Sequence, residues 1–463
     1  MSLPAELERS LREALGDTKL STDPADCAVY AYDNSRQRGV AGGVAFPQSE
    51  QDVAGILQAC AKARWPVIAR GRGSNTVGAT VPEREALVVS FEHMNRIAPV
   101  DAANRYVEAE AGATNADIQA AAREQGFFWP PDPSSAAYST LGGNLACNAA
   151  GPHAVKYGTP RENILGLTAV TGTGEIIRVG THTTKGVVGY DFTRLLLGSE
   201  GTLGLITSAT LKLWPLPESV ATLRASYSSV AAAAAAVARV MGQPQLPWVL
   251  EFMDDRAVEL IRRHGAEVSA GSKALLLMEV EGAGAGLDAA VESVAEAARG
   301  EGLVSLETTE NPDEAATLWQ ARKALSPSLR TLRAGKINED VVVPVSRIPD
   351  LVAKLQDFAR DADIPIVTFG HAGNGNLHVN LLYDPDDERE SRVARELLPR
   401  VFQTVLELDG TLSGEHGVGT AKRDYLTMEL APEVLRLMHG VKRVFDPQGI
   451  LNPGKTLPPE EDS

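Results

Sequence analysis

The segment FGHAGNGNLHVN, Phe369 to Asn380, sets two of the chain's eight histidines around a glycine-rich kink. Two imidazoles in such a setting could be metal ligands, or a hydrogen-bonded pair flanking a turn. His371 and His378 are seven residues apart, so on one continuous strand they would point to opposite faces. Gly373, Asn374, Gly375 and Asn376 tolerate the positive φ of a tight reversal. A strand, a turn and a second strand are therefore expected, with LHVNLLY buried. A second segment, SGEHGVG from Ser413 to Gly419, adds Glu415 and His416 between glycines that let backbone approach a ligand closely. Two histidines and one glutamate suit a borderline cation, zinc foremost, with manganese and iron as alternatives. Such a set leaves coordination positions open for a substrate.

Positioning these groups takes a framework of mixed type. From Val44 to Leu216 short β-branched runs (VAFP, PVIARG, ALVVSF, YVEAEAG) alternate with helical patterns over Glu50–Ala63 and Asn115–Gln125. This predicts an α+β fold. Pro215 and Pro217 in WPLPES stiffen a connector, and the main boundary is expected there. Beyond it, helices over Ala231–Met241, Leu287–Glu301 and Ile348–Asp363 alternate with strands such as ALLLMEVEG, KINEDVVVPV and IPIVTFGH. That pattern predicts an antiparallel sheet covered on one side by helices.

Three glycine-rich loops lie in the first half. ARGRGSN, Ala69 to Asn75, directly follows a strand and could cradle a pyrophosphate with backbone N–H groups, although a simple turn reads the same way. It is neither a Walker loop nor the GxGxxG of a Rossmann helix, which disfavours a nicotinamide cofactor. The run from Pro130 to Gly158 holds so many small residues that its backbone is expected against a large flat ligand; the plainer alternative is a long loop with helix caps at Ser134 and Ser139. LLLGSEGTLGLIT, Leu195 to Thr207, is an apolar run, a glycine turn and a strand.

Composition sets outer limits. At 463 residues the chain exceeds one compact core, and 44% apolar with 22% charged residues fits a soluble globular protein. A net charge of -16 argues against nucleic acid or an anionic membrane as the main partner. MSLPAELERSLREALG reads as an amphipathic helix, not a signal peptide, and no apolar run reaches membrane-spanning length. Cys27, Cys60 and Cys147 are scattered and form no CxxC pair, so an iron–sulfur centre would have to sit on a partner. The expected location is the cytoplasm, or the membrane periphery through a partner. Assembly as a homodimer is one expected outcome.

The three loops, in this order and spacing, resemble the flavin-binding domain of the vanillyl-alcohol oxidase and p-cresol methylhydroxylase (PCMH) superfamily. HAGNGNLHVN, SGEHGVG and DPQGILNPGK (Asp446 to Lys455) resemble its FAD-linked D-2-hydroxyacid dehydrogenase branch, over nearly the whole chain. The resemblance implies a two-part PCMH-type FAD-binding domain over 1–217. It implies an antiparallel-sheet substrate domain over 218–456, with about 414–456 returning to the flavin domain, and an acidic tail over 457–463. FAD would be held by Arg70, Gly71, Arg72, Gly73, Ser74 and Asn75 and by Thr140, Gly142, Gly143 and Asn144. Pro131, Asp132, Ser135, Asn148, Gly204, Ile206 and Asn452 would complete its envelope. Ser74 stands where several superfamily members carry a flavin-tethering histidine, which implies non-covalent FAD.

By the same resemblance His371, His378 and Glu415 take the metal positions and His416 that of the catalytic base. Arg322 would grip the substrate carboxylate, and Ser326, one turn further along the same helix face, and Asn380 would complete the catalytic set. Read without the family, Arg322 is simply one face of an exposed helix. The D-2-hydroxyglutarate enzymes typically carry lysine where this chain has Asn338; Lys336 lies two residues earlier on the same strand face. The implied reaction is oxidation of a D-2-hydroxy acid, D-lactate or glycolate favoured over D-2-hydroxyglutarate, by hydride transfer to flavin N5. Electrons would pass to a quinone, a cytochrome, or an iron–sulfur or flavoprotein partner. A flavin-dependent alkyl transferase of the same superfamily is the alternative of another class.

Overall fold

A computed structural model describes residues 3–460. The chain divides into two compact units, one made of Met1–Ala150, Gly158–Leu216 and Glu415–Ser463, the other of Gly151–Tyr157 and Pro217–Gly414. Met1, Ser2 and the last three residues of the acidic tail lie outside the described residues. Within the tail, Glu460 pairs with Arg443.

The first unit contains two four-stranded sheets. One has strands β1 (Leu20–Ser21), β2 (Ala41–Ala45), β3 (Val67–Arg70) and β4 (Ala86–Ser90) in the order β1-β2-β4-β3, with β2, β4 and β3 mutually parallel. The other is antiparallel: with β5 (Tyr106–Glu110), β6 (Phe127–Phe128), β7 (Ile164–Val170), β8 (Ile176–Gly180) and β9 (Leu205–Lys212), its order is β5-β9-β7-β8. β10 (Trp214–Pro215) pairs with β6 as a separate short ribbon.

The helix Glu50–Ala63 falls where the apolar spacing puts it. Ser49 Oγ accepts from Asp52 N at 3.1 Å, closing its first turn, and Arg64 ends it in the left-handed region at φ 50°. Its buried face of Val53, Ile56, Leu57 and Cys60 packs with Leu7, Leu11 and Leu15 of the helix Ala5–Leu15. Each such leucine contributes roughly 1.5–3 kcal/mol by leaving water. The segment Glu415–Ser463 is knitted into this unit through Leu451, which bridges to Val67, and through Lys442, whose Nζ donates to Thr202 O at 2.7 Å.

The second unit is built on one seven-stranded antiparallel sheet. Its strands are β11 (Ser219–Tyr227), β12 (Val249–Met253), β13 (Ala274–Gly282), β14 (Leu303–Thr309), β15 (Gly335–Val342), β16 (Ile366–Gly370) and β17 (Asn376–Tyr383), in the order β14-β11-β13-β12-β16-β17-β15. The sheet is not covered on one side only. Ala274 to Val280 are buried without alternation, because helices lie on both faces: Val230–Met241 and Ala285–Ala298 on one, Asp255–Arg263 and Leu325–Ser328 on the other. The helix expected to reach Glu301 stops at Ala298, where Arg299 turns extended ahead of Gly300 and Gly302.

Candidate active site

Register places the chemistry of the second unit on one sheet face. Phe252 opposes Gly370 and Met253 opposes Phe369, so one step further Glu251 comes beside His371. Phe369 opposes His378, and His378 opposes Asp340; Asn380 opposes Asn338. Glu251, His378, Asn380, Asp340 and Asn338 thus share the face that carries Phe369, Met253 and Leu382.

The expected reversal between the histidines takes a specific form. β16 ends at Gly370, His371 precedes a single 3-10 turn over Ala372–Asn374, and only Gly375 among the four candidate turn residues adopts a left-handed φ, 76°. A Cβ at Gly375 would overlap the Val343 carbonyl oxygen. The two asparagines therefore play another part: Asn376 opens β17 and donates from Nδ2 to Val341 O at 3.2 Å. The imidazole centroids of His371 and His378 lie 5.4 Å apart.

Glu415 is bonded to Gly414, the last residue of this unit, and Gly414 N donates to Asp340 Oδ2 at 2.8 Å. One ligand atom each from His371, His378 and Glu415 lies within 4.8 Å of the others. Two imidazoles and a carboxylate at that spacing fit a divalent cation.

Arg322 is not on an exposed face. Its side chain is 11% exposed, and Nη2 meets Glu251 Oε2 at 2.5 Å while Nε donates to the same oxygen at 2.7 Å. Its guanidinium also lies 4.7 Å over the Phe369 ring. The other Glu251 oxygen pairs with His371 Nδ1. Burial alone would raise the Glu251 carboxyl, but the charges of Arg322 and His371 outweigh it and hold it down to about 2. No reading of the sequence singled out Glu251; an isolated acid in the apolar strand VLEFM was the signal available.

Arg322 and Ser326 do not lie on one continuous helix. The helix Pro312–Lys323 ends before Ser326, and in the short helix Leu325–Ser328 the Ser326 hydroxyl accepts from Lys336 Nζ at 3.4 Å. Asn380 is fully buried; its Nδ2 donates to Val367 O at 3.1 Å and to His378 O at 3.2 Å, while Oδ1 has no hydrogen-bond partner.

In the first unit the loop at Arg70–Asn75 and the turn at Thr140–Asn144 lie against each other, because a Cβ on Gly71 would overlap Thr140 Oγ1. Thr140 caps the helix Leu141–Cys147, replacing the expected caps at Ser134 and Ser139, yet makes no side-chain capping bond. Buried Thr76 Oγ1, Ser139 Oγ, Thr140 Oγ1 and Asn144 Nδ2 all lack hydrogen-bond partners. Gly142 lies against Ala111 and Gly143 beside Thr140 Oγ1. Four unsatisfied polar atoms lining two glycine loops fit a polar, phosphate-bearing cofactor.

Other residues of that expected set are engaged within the protein. Arg70 is buried, donates to Tyr32 O at 2.5 Å and stacks near Tyr30, while Arg72 is exposed. Gly73 lies against the Arg70 guanidinium and Ser74 is half-buried. Asn148, at φ 54°, accepts from Arg161 N at 3.2 Å. Pro131 O accepts from Asn115, Asp132 N donates to Ala150 O, and Ser135 O accepts from Tyr138 N. Gly204 immediately precedes β9, and Ile206 is a core residue of that strand.

Asn75 accepts at Oδ1 from Val77 N and Ala79 N, and donates from Nδ2 to His416 O at 3.1 Å. Glu200, also missed in the sequence, is fully buried and accepts from Gly419 N at 2.8 Å and Thr456 Oγ1 at 2.6 Å. Burial raises its carboxyl against these bonds and the charge of Lys422. Asn452 donates to Glu200 O at 2.6 Å and Ala79 O at 2.9 Å.

Residues 216–456 match the pattern described as FAD linked oxidases, C-terminal domain, and residues 41–180 the pattern described as FAD binding domain. The chain belongs to the FAD-linked oxidase family. Glycolate oxidase subunit GlcD of Bacillus subtilis is 37% identical over 97% of this chain and 96% of that protein. D-lactate dehydrogenase of Anaerostipes hadrus is 34% identical over 88% of this chain and 87% of that protein. D-2-hydroxyglutarate dehydrogenase of Xanthomonas citri is 32% identical over 96% of each. Crystalline p-cresol methylhydroxylase shares the fold, with a TM-score of 0.79 at 15% identity over 97% of this chain and 96% of that one. This FAD-linked oxidase is accordingly an α+β flavoprotein and an oxidoreductase. No helix among its described residues is long and apolar enough to cross a membrane.

Proposed function

We propose that this FAD-linked oxidase oxidises a D-2-hydroxy acid to the 2-oxo acid with the help of a divalent cation. The observation that carries the reading is the His371, His378 and Glu415 donor set, with His416 as the next residue in the chain. FAD, when bound, supplies the hydride acceptor, and a cation on those three ligands lowers the pKa of the substrate hydroxyl. The chain's own residues do the rest. Arg322 grips the carboxylate through the guanidinium edge that Glu251 leaves open, Asn380 Oδ1 and Ser326 orient the substrate, and His416 takes the hydroxyl proton.

D-lactate and glycolate are favoured over D-2-hydroxyglutarate. Asn338 is neutral where a second carboxylate would want a cation, and Lys336 on the same strand face is directed to Ser326. FAD is held non-covalently by the Arg70–Asn75 and Thr140–Asn144 loops, since Ser74 stands in place of the histidine that tethers the flavin in several members of the superfamily. Acid precipitation should leave the yellow chromophore in the supernatant. Reoxidation passes electrons to a quinone, a cytochrome or a partner's redox centre.

The test is anaerobic mixing of the purified protein with D-lactate, glycolate and D-2-hydroxyglutarate in turn, before and after chelation. Loss of the oxidised-flavin band with one acid, abolished by the chelator, is expected. No bleaching by any of the three, in protein that holds both FAD and metal, would overturn the reaction.

A further inference from the structure

We infer that Glu251 is a positioning residue that ties the metal ligand His371 and the carboxylate-binding Arg322 to one shared carboxylate, so that metal affinity depends on it. The inference rests on the proposed metal site and deepens it. Register supplies the His371 half of the sharing, and the helix Pro312–Lys323 brings Arg322 to the same carboxylate. β12 and β16 are antiparallel neighbours, and continuing their pairing sets Glu251 opposite the first residue past β16. Its two oxygens are divided: Oε1 takes His371 Nδ1 and Oε2 takes the Nε/Nη2 edge of Arg322.

Each half of that division has a chemical consequence. A carboxylate on Nδ1 fixes the proton there, which leaves Nε2 as the nitrogen that can bind a cation and makes it more basic. A carboxylate on the Nε/Nη2 edge stops Arg322 from presenting that edge to a substrate. Phe369 beneath the guanidinium removes its freedom to swing. Only the end of the fork remains to meet a substrate carboxylate. A buried acid that served neither group would be replaced by a well-packed apolar residue at little cost to folding. Its neighbours on the strand, Val249, Leu250, Phe252 and Met253, are all apolar and buried.

The experiment is a competitive zinc titration of chelator-stripped, FAD-loaded protein, with flavin content and thermal midpoint recorded alongside. Four proteins are compared: wild type, His378→Ala, Glu251→Gln and Arg322→Met. Expected are tight binding by wild type, none by His378→Ala, a 10- to 100-fold weaker site in Glu251→Gln with flavin content retained, and no weakening in Arg322→Met. Equal zinc affinity of wild type and His378→Ala would sink the underlying metal site. Loss in His378→Ala with wild-type affinity in Glu251→Gln would leave that site standing and overturn the role of Glu251. Equal weakening in Glu251→Gln and Arg322→Met would also overturn it, because a general loosening of the sheet face would then be the cause. Should Glu251→Gln fail to fold, Glu251→Asp carries the test: its carboxylate is one methylene short of His371 Nδ1 and must weaken zinc binding, and unchanged affinity refutes the inference.

Discussion

Asn75 and His416 are 341 positions apart in sequence, and the amide of the first donates to the carbonyl oxygen of the second at 3.1 Å. One side chain thus fastens the loop expected to hold flavin phosphate to the residue expected to take the substrate's proton. Its carbonyl oxygen simultaneously shapes that loop through Val77 N at 2.9 Å and Ala79 N at 3.1 Å.

Asn75→Ala should therefore weaken two functions together. Four hydrogen bonds are lost, the fourth from Nδ2 to Cys147 Sγ at 3.4 Å, leaving buried partners unsatisfied at about 1–3 kcal/mol each where water cannot reach. FAD affinity, followed by flavin fluorescence, should fall at least tenfold, and turnover at saturating FAD should also fall. Wild-type turnover in flavin-saturated Asn75→Ala would mean that His416 is held by other contacts alone.

Glu200 supplies such contacts, with Gly419 N at 2.8 Å and Val418 N at 2.5 Å on its carboxylate. Glu200→Gln keeps the shape but turns an N–H donor toward those amides. The expected result is faster hydrogen exchange at Val418 and Gly419 and a loss of roughly 1–3 kcal/mol in stability. Exchange as slow as in wild type would show that the carboxylate is dispensable for the loop.

Much of the site was legible because its residues are chemically unusual and lie in short segments. His371, His378, Glu415 and His416 stand in two glycine-rich stretches, and the turn between the histidines follows from parity along a strand. What stayed hidden are the residues that reach the site through sheet register or tertiary contact. Glu251 meets His371 across 120 residues, and Glu200 meets Gly419 across 219. A single acid in an apolar strand does not announce its partner. Without the family resemblance Arg322 reads as an exposed helix residue for the same reason, since its partner Glu251 lies 71 positions earlier in the chain. The cover of the seven-stranded sheet was not legible because ALLLM, Ala274 to Met278, is a short continuous apolar run, which periodicity alone does not assign to one face or two.

Gly375→Ala isolates the turn from the ligands. The position combines φ 76° with backbone contact to Val343, so any Cβ is strained and must push the turn away from β15. The imidazoles should move apart while their identities stay intact. Zinc affinity should fall by an order of magnitude or more, with the FAD content of the first unit unchanged. Unaltered zinc binding in this variant would mean that the 5.4 Å separation of the rings is not set by the turn.

Asp254 gives the second unit a pH dependence with a definite sign. Its side chain caps the helix Asp255–Arg263 through Ala257 N at 2.8 Å and accepts from Thr368 N at 2.5 Å, which ties the helix to β16 below the histidines. Burial raises its carboxyl from 3.8 to about 7, against the pull of the Ala257 bond and with a further rise from Asp255. The folded state thus holds this proton more tightly than the unfolded chain does. The associated stability is fully present below 3.8 and is lost as pH rises through about 7. A rise of this size corresponds to at most about 4 kcal/mol. Asp254→Asn carries no proton equilibrium, keeps an oxygen for Ala257 N, and turns an amide toward Thr368 N, which adds a pH-independent cost. In denaturant titrations from pH 4 to 8, the stability of wild type relative to Asp254→Asn should decline across the lower part of that range and level off near the top. A constant difference at every pH would mean that Asp254 ionises alike in the folded and unfolded chain, and that its two backbone donors offset its burial.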